Sequence, residues 1–248
     1  MSFDRTEEIE FSGQLPASTI SGLERKGDLQ RLAPGIYTRN LADDPARIVR
    51  RGWPRILGYL LPGAVITDRS APTGGPVDGV LYVVSPGQNR VPIRLPGLTI
   101  VRRPGPGPVD GDIEMPGGAF LASRARGLLD NTAASRSRGA ASRTLTRNEL
   151  GDWIDRLCRV DGEEQLLRYR IEAEALAPIL GTKAAGIEML VSLISMAVST
   201  GPERTVGSAA LMSRRRGLPY DHAYRGLAPN RSAGHTFSAC HLRHIPGR

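Results

Sequence analysis

Ser18-Thr-Ile-Ser-Gly-Leu-Glu-Arg-Lys-Gly-Asp-Leu-Gln-Arg-Leu-Ala-Pro-Gly-Ile-Tyr-Thr-Arg-Asn40 is the stretch from which the fold is read. Ser18 or Thr19 can cap a helix, Ile20 and Leu23 share one of its faces at i and i+3, and Gly27 stops it. That places Arg25 and Lys26 in the last turn, where cations suit the macrodipole. Leu29-Gln-Arg-Leu32 and Ile36-Tyr-Thr-Arg39 then alternate apolar and polar around Ala33-Pro34-Gly35, which predicts a hairpin.

A helix followed at once by a basic hairpin is the order of the second half of a winged helix-turn-helix. Arg25, Lys26, Arg31, Tyr37 and Arg39 are the candidate DNA-contacting residues, with the hairpin against phosphate and the helix available to a major groove. The plainer alternative is a small α+β packing element with a solvated basic face. A full winged helix has further helices before the wing, but only about sixteen residues precede this one, and Glu7-Glu8-Ile9-Glu10 shows no apolar stripe. The first helix is therefore expected to be missing, very short or supplied by another subunit.

The 248 residues, 40% of them hydrophobic, allow one or two domains with a real core. No apolar run is long enough for a membrane span, and the acidic N-terminus is unlike a secretory signal, so a cytoplasmic location without membrane association is expected. Net charge is +8, with 33 basic and 25 acidic residues. Residues 201–248 hold eight arginines against Glu203 and Asp221, leaving 25 basic and 23 acidic residues before them. Any DNA affinity of the body must come from local patches. Cys158 and Cys240 are far apart, which indicates neither a disulfide framework nor a zinc knuckle, and Cys158 reads as a small core residue. All four histidines lie between 222 and 244. Cys240-His241-Leu-Arg-His244 has a spacing a metal could use, but no element is evident to hold it. No metal and no cofactor are expected.

Asp44-Pro45 opens a helix to about Tyr59, kinked or broken at Trp53-Pro54. Ala64–Thr67, Gly79–Val84, Val91–Arg94 and Leu98–Val101 read as strands of a small, largely antiparallel sheet, with residues 104–108 as a stiff Pro-Gly loop. Ala119–Asp130 reads as one helix, residues 133–143 as an exposed basic loop with Arg136, Arg138 and Arg143, and Thr146 with Glu149 as a capping box. Asp161 is expected to cap a third helix to about Ala177, and a fourth covers Ala184 to Ala197. In the Asp68-Arg69-Ser70 loop, Asp68 and Ser70 are expected to bond the backbone of a turn. The fold class is thus α+β: a winged-helix-like element over 1–41, a mostly antiparallel sheet with flanking helices over 42–132, a helical region over 144–199, and a disordered tail over 200–248.

Asp28–Leu41, Val49-Arg-Arg51, Pro62–Ile66 with Asp68-Arg-Ser-Ala71, Pro76–Tyr82, Leu95-Pro-Gly-Leu98 and Phe120–Asp130 together resemble the N-terminal half of bacterial Fic-family ("cell filamentation") proteins. That half is similar to AbiEi-type antitoxins of type IV toxin–antitoxin systems, and the likeness spans about residues 14 to 223. The resemblance implies a winged-helix-like DNA-binding element and an antitoxin-like α/β region ahead of a nucleotidyl-transferring Fic domain. Fic chemistry needs a His-Pro-Phe-x-x-Gly-Asn-Gly-Arg loop, in which histidine takes the proton of the target hydroxyl and the glycine-rich turn holds phosphates. No such string occurs, and His244-Ile-Pro-Gly-Arg248 does not replace it. The chain parts from the family after Tyr220-Asp221, as a shifted reading frame or a truncated gene would. Neither a dinucleotide-binding Gly motif, a Walker loop nor a Gly-x-Ser-x-Gly elbow is present. The expectation is a non-enzymatic antitoxin or transcriptional regulator that binds DNA, such as its own promoter. The alternatives are a protein-interaction module for a cognate toxin or Fic-domain protein, and an inactive fragment.

Overall fold

The computed structural model describes residues 8–134 and 142–199. Arg136 and Arg138 lie outside these residues, as do the expectations for 200–248, including Cys240 and the four histidines. The N-terminal layer is β1 (Ile9–Phe11), α1 (Ala17–Lys26), β2 (Gln30–Ala33) and β3 (Ile36–Thr38), with the strands antiparallel in the order β1-β3-β2. The hairpin and the Gly27 stop are where the sequence predicts them. Gly27 sits at φ 75°, and its N–H reaches back to the carbonyls of Leu23 and Glu24. The start differs, because α1 begins at Ala17 with Pro16 in the capping position and no side-chain cap, so neither Ser18 nor Thr19 plays that part. Among the described residues, a strand and not a helix precedes α1. Glu8-Ile9-Glu10-Phe11 alternates, and β1 buries Ile9 and Phe11 while it pairs with β3.

Helix α2 (Pro45–Leu60) is a single element: the Asp44 carboxylate accepts from the Ala46 N–H at its start, and Pro54 lies inside it without breaking it. A proline there removes one intrahelical bond, to the Arg50 carbonyl on an exposed turn where water can take its place. Strands β4 (Val65–Ile66), β5 (Val80–Ser85), β6 (Ile93–Leu95), β7 (Leu98–Pro104), β8 (Ile113–Met115) and β9 (Ala119–Leu121) form a second sheet in the order β6-β7-β5-β4-β9-β8. Three of its five pairings are antiparallel, but the longest, β5 with β7, is parallel, so the sheet is mixed. Helix α2 reaches from one end of this sheet to the other. A Cβ on Gly97, in the β6–β7 turn, would meet Ala46, and one on Gly58 would meet the backbone of Gly117, in the β8–β9 turn.

Ala119–Asp130 is not one helix. Its first three residues are β9, and Ser123 caps a short α3 (Arg124–Asp130) by accepting from the Arg126 N–H. Backbone bonds from Phe120 N to Ala64 O and from Ala122 N to Ile66 O hold the segment extended against β4. Helices α4 (Arg147–Asp161), α5 (Glu163–Leu180) and α6 (Ala184–Ser199) pack with α3 around Leu128, Leu129, Leu150, Trp153, Ile154, Leu166, Leu190 and Ile194. The Thr146–Glu149 capping box is present as expected. Asp161, however, ends α4 rather than capping α5, and Gly162 at φ 90° makes the turn between them. Cys158 is partly buried against this core, and burial pushes its thiol up. Among the described residues no helix is long and apolar enough to cross a membrane.

Candidate nucleic-acid interface

Pairing register decides which side chains share a face of the N-terminal sheet. Arg31 is opposite Tyr37, and Tyr37 is opposite Glu10, so these three stand on one side, joined by Arg39 two positions after Tyr37. Helix α1 lies on that side, since Tyr37 packs with Ile20 and Leu29. Ile9 and Phe11 face the other side, toward α2: Ile9 Cδ1 lies where a Cβ on Gly52 would go, and the Phe11 ring stacks on Tyr59 with centroids 4.3 Å apart. The sheet is therefore covered on both faces. Tyr37 is the casualty of this arrangement for the sequence reading: only 9% exposed, it is a core residue that supports the hairpin and not a phosphate contact.

The four cations have different standings. Arg25, Lys26 and Arg31 are exposed and have no ion-pair partner among the described residues, whereas Arg39 Nε donates to Glu10 Oε1 at 3.0 Å. With Arg39 47% exposed, such a pair contributes at most about 1 kcal/mol, so a phosphate can replace Glu10 cheaply. The exposed residues of α1 are the small Ala17, Ser18, Thr19 and Ser21 in its first half and the charged Glu24, Arg25 and Lys26 in its last turn.

A second polar group lies just after β4, around Asp68, Arg69 and Ser70. Asp68 is fully buried at φ 54°, a left-handed conformation that Asp tolerates. Its carboxylate does not bond a turn backbone. It receives Arg103 Nε at 3.1 Å and Arg143 Nη1 at 2.9 Å, and Arg103 also reaches Asp130 Oδ1 at 2.7 Å. Arg143 is thus part of a buried network and not of an exposed basic loop. Burial pushes Asp68 above the ordinary carboxylate range even with Arg103 and Arg143 beside it. Ser70 does bond the backbone as expected, its hydroxyl accepting from the Tyr82 N–H at 3.0 Å. Arg69 donates to the Ser142 and Thr144 carbonyls and to both oxygens of Glu149. What this network does is clasp residues 142–144 and the start of α4 to the sheet. Among the described residues no group of His, Cys, Asp and Glu could hold a metal ion.

The clasp has a pH signature. Arg69 and the Thr146 bonds lower Glu149 to about 2, below its ordinary 4.5, so its contribution is complete above pH 4.5 and fades as pH falls toward 2. The expected result is that the urea midpoint of Glu149→Gln lies below that of the parent at about pH 6, and that the gap narrows by about pH 3. An unchanged gap would show that Arg69 gains nothing from the charge.

No protein-family model, curated protein or solved structure matches this chain.

Proposed function

We propose that this chain is a non-catalytic, cytoplasmic DNA-binding regulator of the AbiEi-like antitoxin kind, acting on DNA such as its own promoter through Arg25, Lys26, Arg31 and, once released from Glu10, Arg39. The observation that carries this reading is the exposure of three unpartnered cations at the end of α1 and on β2, beside a fourth in a weak pair. Three to four phosphate contacts should give log K against log salt a slope of about −3 for duplex DNA. Fluorescence anisotropy on the upstream duplex tests this. Arg31→Glu is expected to lower affinity at every salt concentration and flatten the slope by about one. Binding that ignores salt, or an Arg31→Glu protein that binds like the parent, would end the proposal.

A second reading is favoured by the helical region, where Ile171 and Ile179 on α5 are each 59% exposed and Met196 on α6 is 49% exposed. Under it the chain neutralises a cognate toxin or restrains a Fic-type domain through α4–α6. Such a complex, resting on apolar contact, would survive the salt that abolishes DNA binding.

A further inference from the structure

Helix α2 carries four arginines and no acid: Arg47, Arg50, Arg51 and Arg55. The spacing i, i+3, i+4, i+8 puts them on one face, and the opposite face is the buried row of Ile48, Val49, Ile56 and Leu57. Arg47 and Arg50 are exposed and have no hydrogen-bond or ion-pair partner among the described residues. Both stand in the first two turns, where the helix dipole disfavours cations; Asp43 and Asp44 just before the helix offset Arg47 only at a distance, without an ion pair. The contrast with the helical region is plain, because α4, α5 and α6 each hold more acids than bases.

This face joins the wing at one edge. Arg51 pairs with Glu8 and Asp43, while Arg39 pairs with Glu10, two residues further along the same side of the β1 segment. Arg55 lies over the Phe11 ring, 5.8 Å from its centroid. Asn40 Nδ2 bonds both Glu8 and Asp43, so the end of β3 and the start of α2 are tied to a common pair of carboxylates. The arginines of α2 cover about 12 Å of helix axis, roughly the rise of three to four base steps.

We infer that the solvent face of α2, Arg47 and Arg50 with Arg51 at its edge, is a second phosphate-contacting surface continuous with the hairpin, so that a nucleic-acid duplex spans the β1 edge. The inference rests on the reading of the hairpin as a nucleic-acid contact and adds a surface to it. Its test uses the full chain and a fluorescein-labelled mixed-sequence duplex of about three helical turns, titrated between about 0.05 and 0.2 M salt. Arg47→Ala/Arg50→Ala is expected to flatten the salt slope by about 2 and lower affinity roughly tenfold at the low-salt end, with an unchanged thermal midpoint, since both side chains are exposed. Arg25→Ala/Arg31→Ala is measured beside it. Loss with the hairpin pair alone overturns the α2 surface and keeps the hairpin. Loss with the α2 pair alone removes the hairpin reading and, with it, the continuous surface. A parent protein that binds no duplex removes both, and loss by the α2 pair of binding to phosphatidylserine vesicles, with duplex binding intact, assigns the face to lipid and overturns the inference.

Discussion

Arg126→Met is expected to lower unfolding stability by about 3–5 kcal/mol, a large share of what a domain of this size possesses. The Arg126 side chain is completely buried at the start of α3, and its guanidinium is shared among three acceptors. Nη1 donates to the Gly107 carbonyl at 2.8 Å and to the equally buried Asp112 carboxylate, and Nη2 donates to the Pro106 carbonyl at 2.9 Å. Residues 104–108 alternate Pro and Gly and have few backbone donors to give each other, so this one planar fork supplies what the loop cannot. Methionine fills similar volume but strands Asp112. That carboxylate keeps the Val109 and Ser123 N–H groups and loses its counter-charge. Arg126→Lys should fall between, because an ammonium keeps the charge but cannot reach loop and carboxylate in the same fork geometry. Adding Asp112→Asn to Arg126→Met should recover part of the loss, since a buried charge without a partner is the main cost. Urea unfolding of the three variants decides this, and a loss below about 1 kcal/mol for Arg126→Met would mean that the loop is held by other means.

How far the sequence is legible depends on whether an element is set by near or by distant neighbours. The Gly27 stop, the Pro34-Gly35 hairpin and the Thr146–Glu149 capping box rest on bonds within a few residues, and the structure has all three. The strand β9 has no such local cause. Ala119-Phe-Leu runs into Ala-Ser-Arg-Ala-Arg without a visible break, and what holds it extended is pairing with β8 on one side and with β4, more than fifty residues earlier, on the other. Strand β8, a three-residue edge, leaves no signal in the sequence for a related reason: it exists only as the partner of β9.

The candidate site shows the same division. Exposure of Arg25, Lys26 and Arg31 follows from polar positions in local patterns, and it holds. Tyr37, a candidate DNA contact by its place in the hairpin, does not share that exposure. Here Ile36, Tyr37 and Thr38 are all buried, because α1 covers one side and α2 the other. The pairing of Arg39 with Glu10 needed the β1–β3 register, which no pattern in either strand discloses. In contrast, the arginine face of α2 is written openly at helical spacing in residues 47–55 and needs no distant partner to be read. Arg143 is a further case, since its partner Asp68 stands seventy-five residues away.

The same substitution at two helical glycines should have opposite signs, and the difference tests how α2 is seated. A Cβ on Gly58 would lie 1.8 Å from the Gly117 carbonyl oxygen and 2.3 Å from its carbon, and those atoms are backbone, which cannot rotate aside. Gly117 cannot simply retreat either. It sits at φ 95° in the tight turn between β8 and β9, where a Cβ of its own would come within 3.2 Å of the Arg55 Cα. Gly58→Ala must therefore lift the end of α2 or distort the turn, at a cost of about 3 kcal/mol or more. Gly151, in the middle of α4, has ordinary helical backbone, and its added Cβ would find nothing nearer than Leu193 Cδ2 at 4.0 Å. Gly151→Ala is expected to stabilise by about 0.5–1 kcal/mol, because alanine loses less backbone entropy in a helix. Equilibrium unfolding of both variants reads the two signs directly. If Gly58→Ala proved neutral, α2 would not be pressed on the β8–β9 turn, and the fixed position of its arginines beside β1 would lose its structural basis.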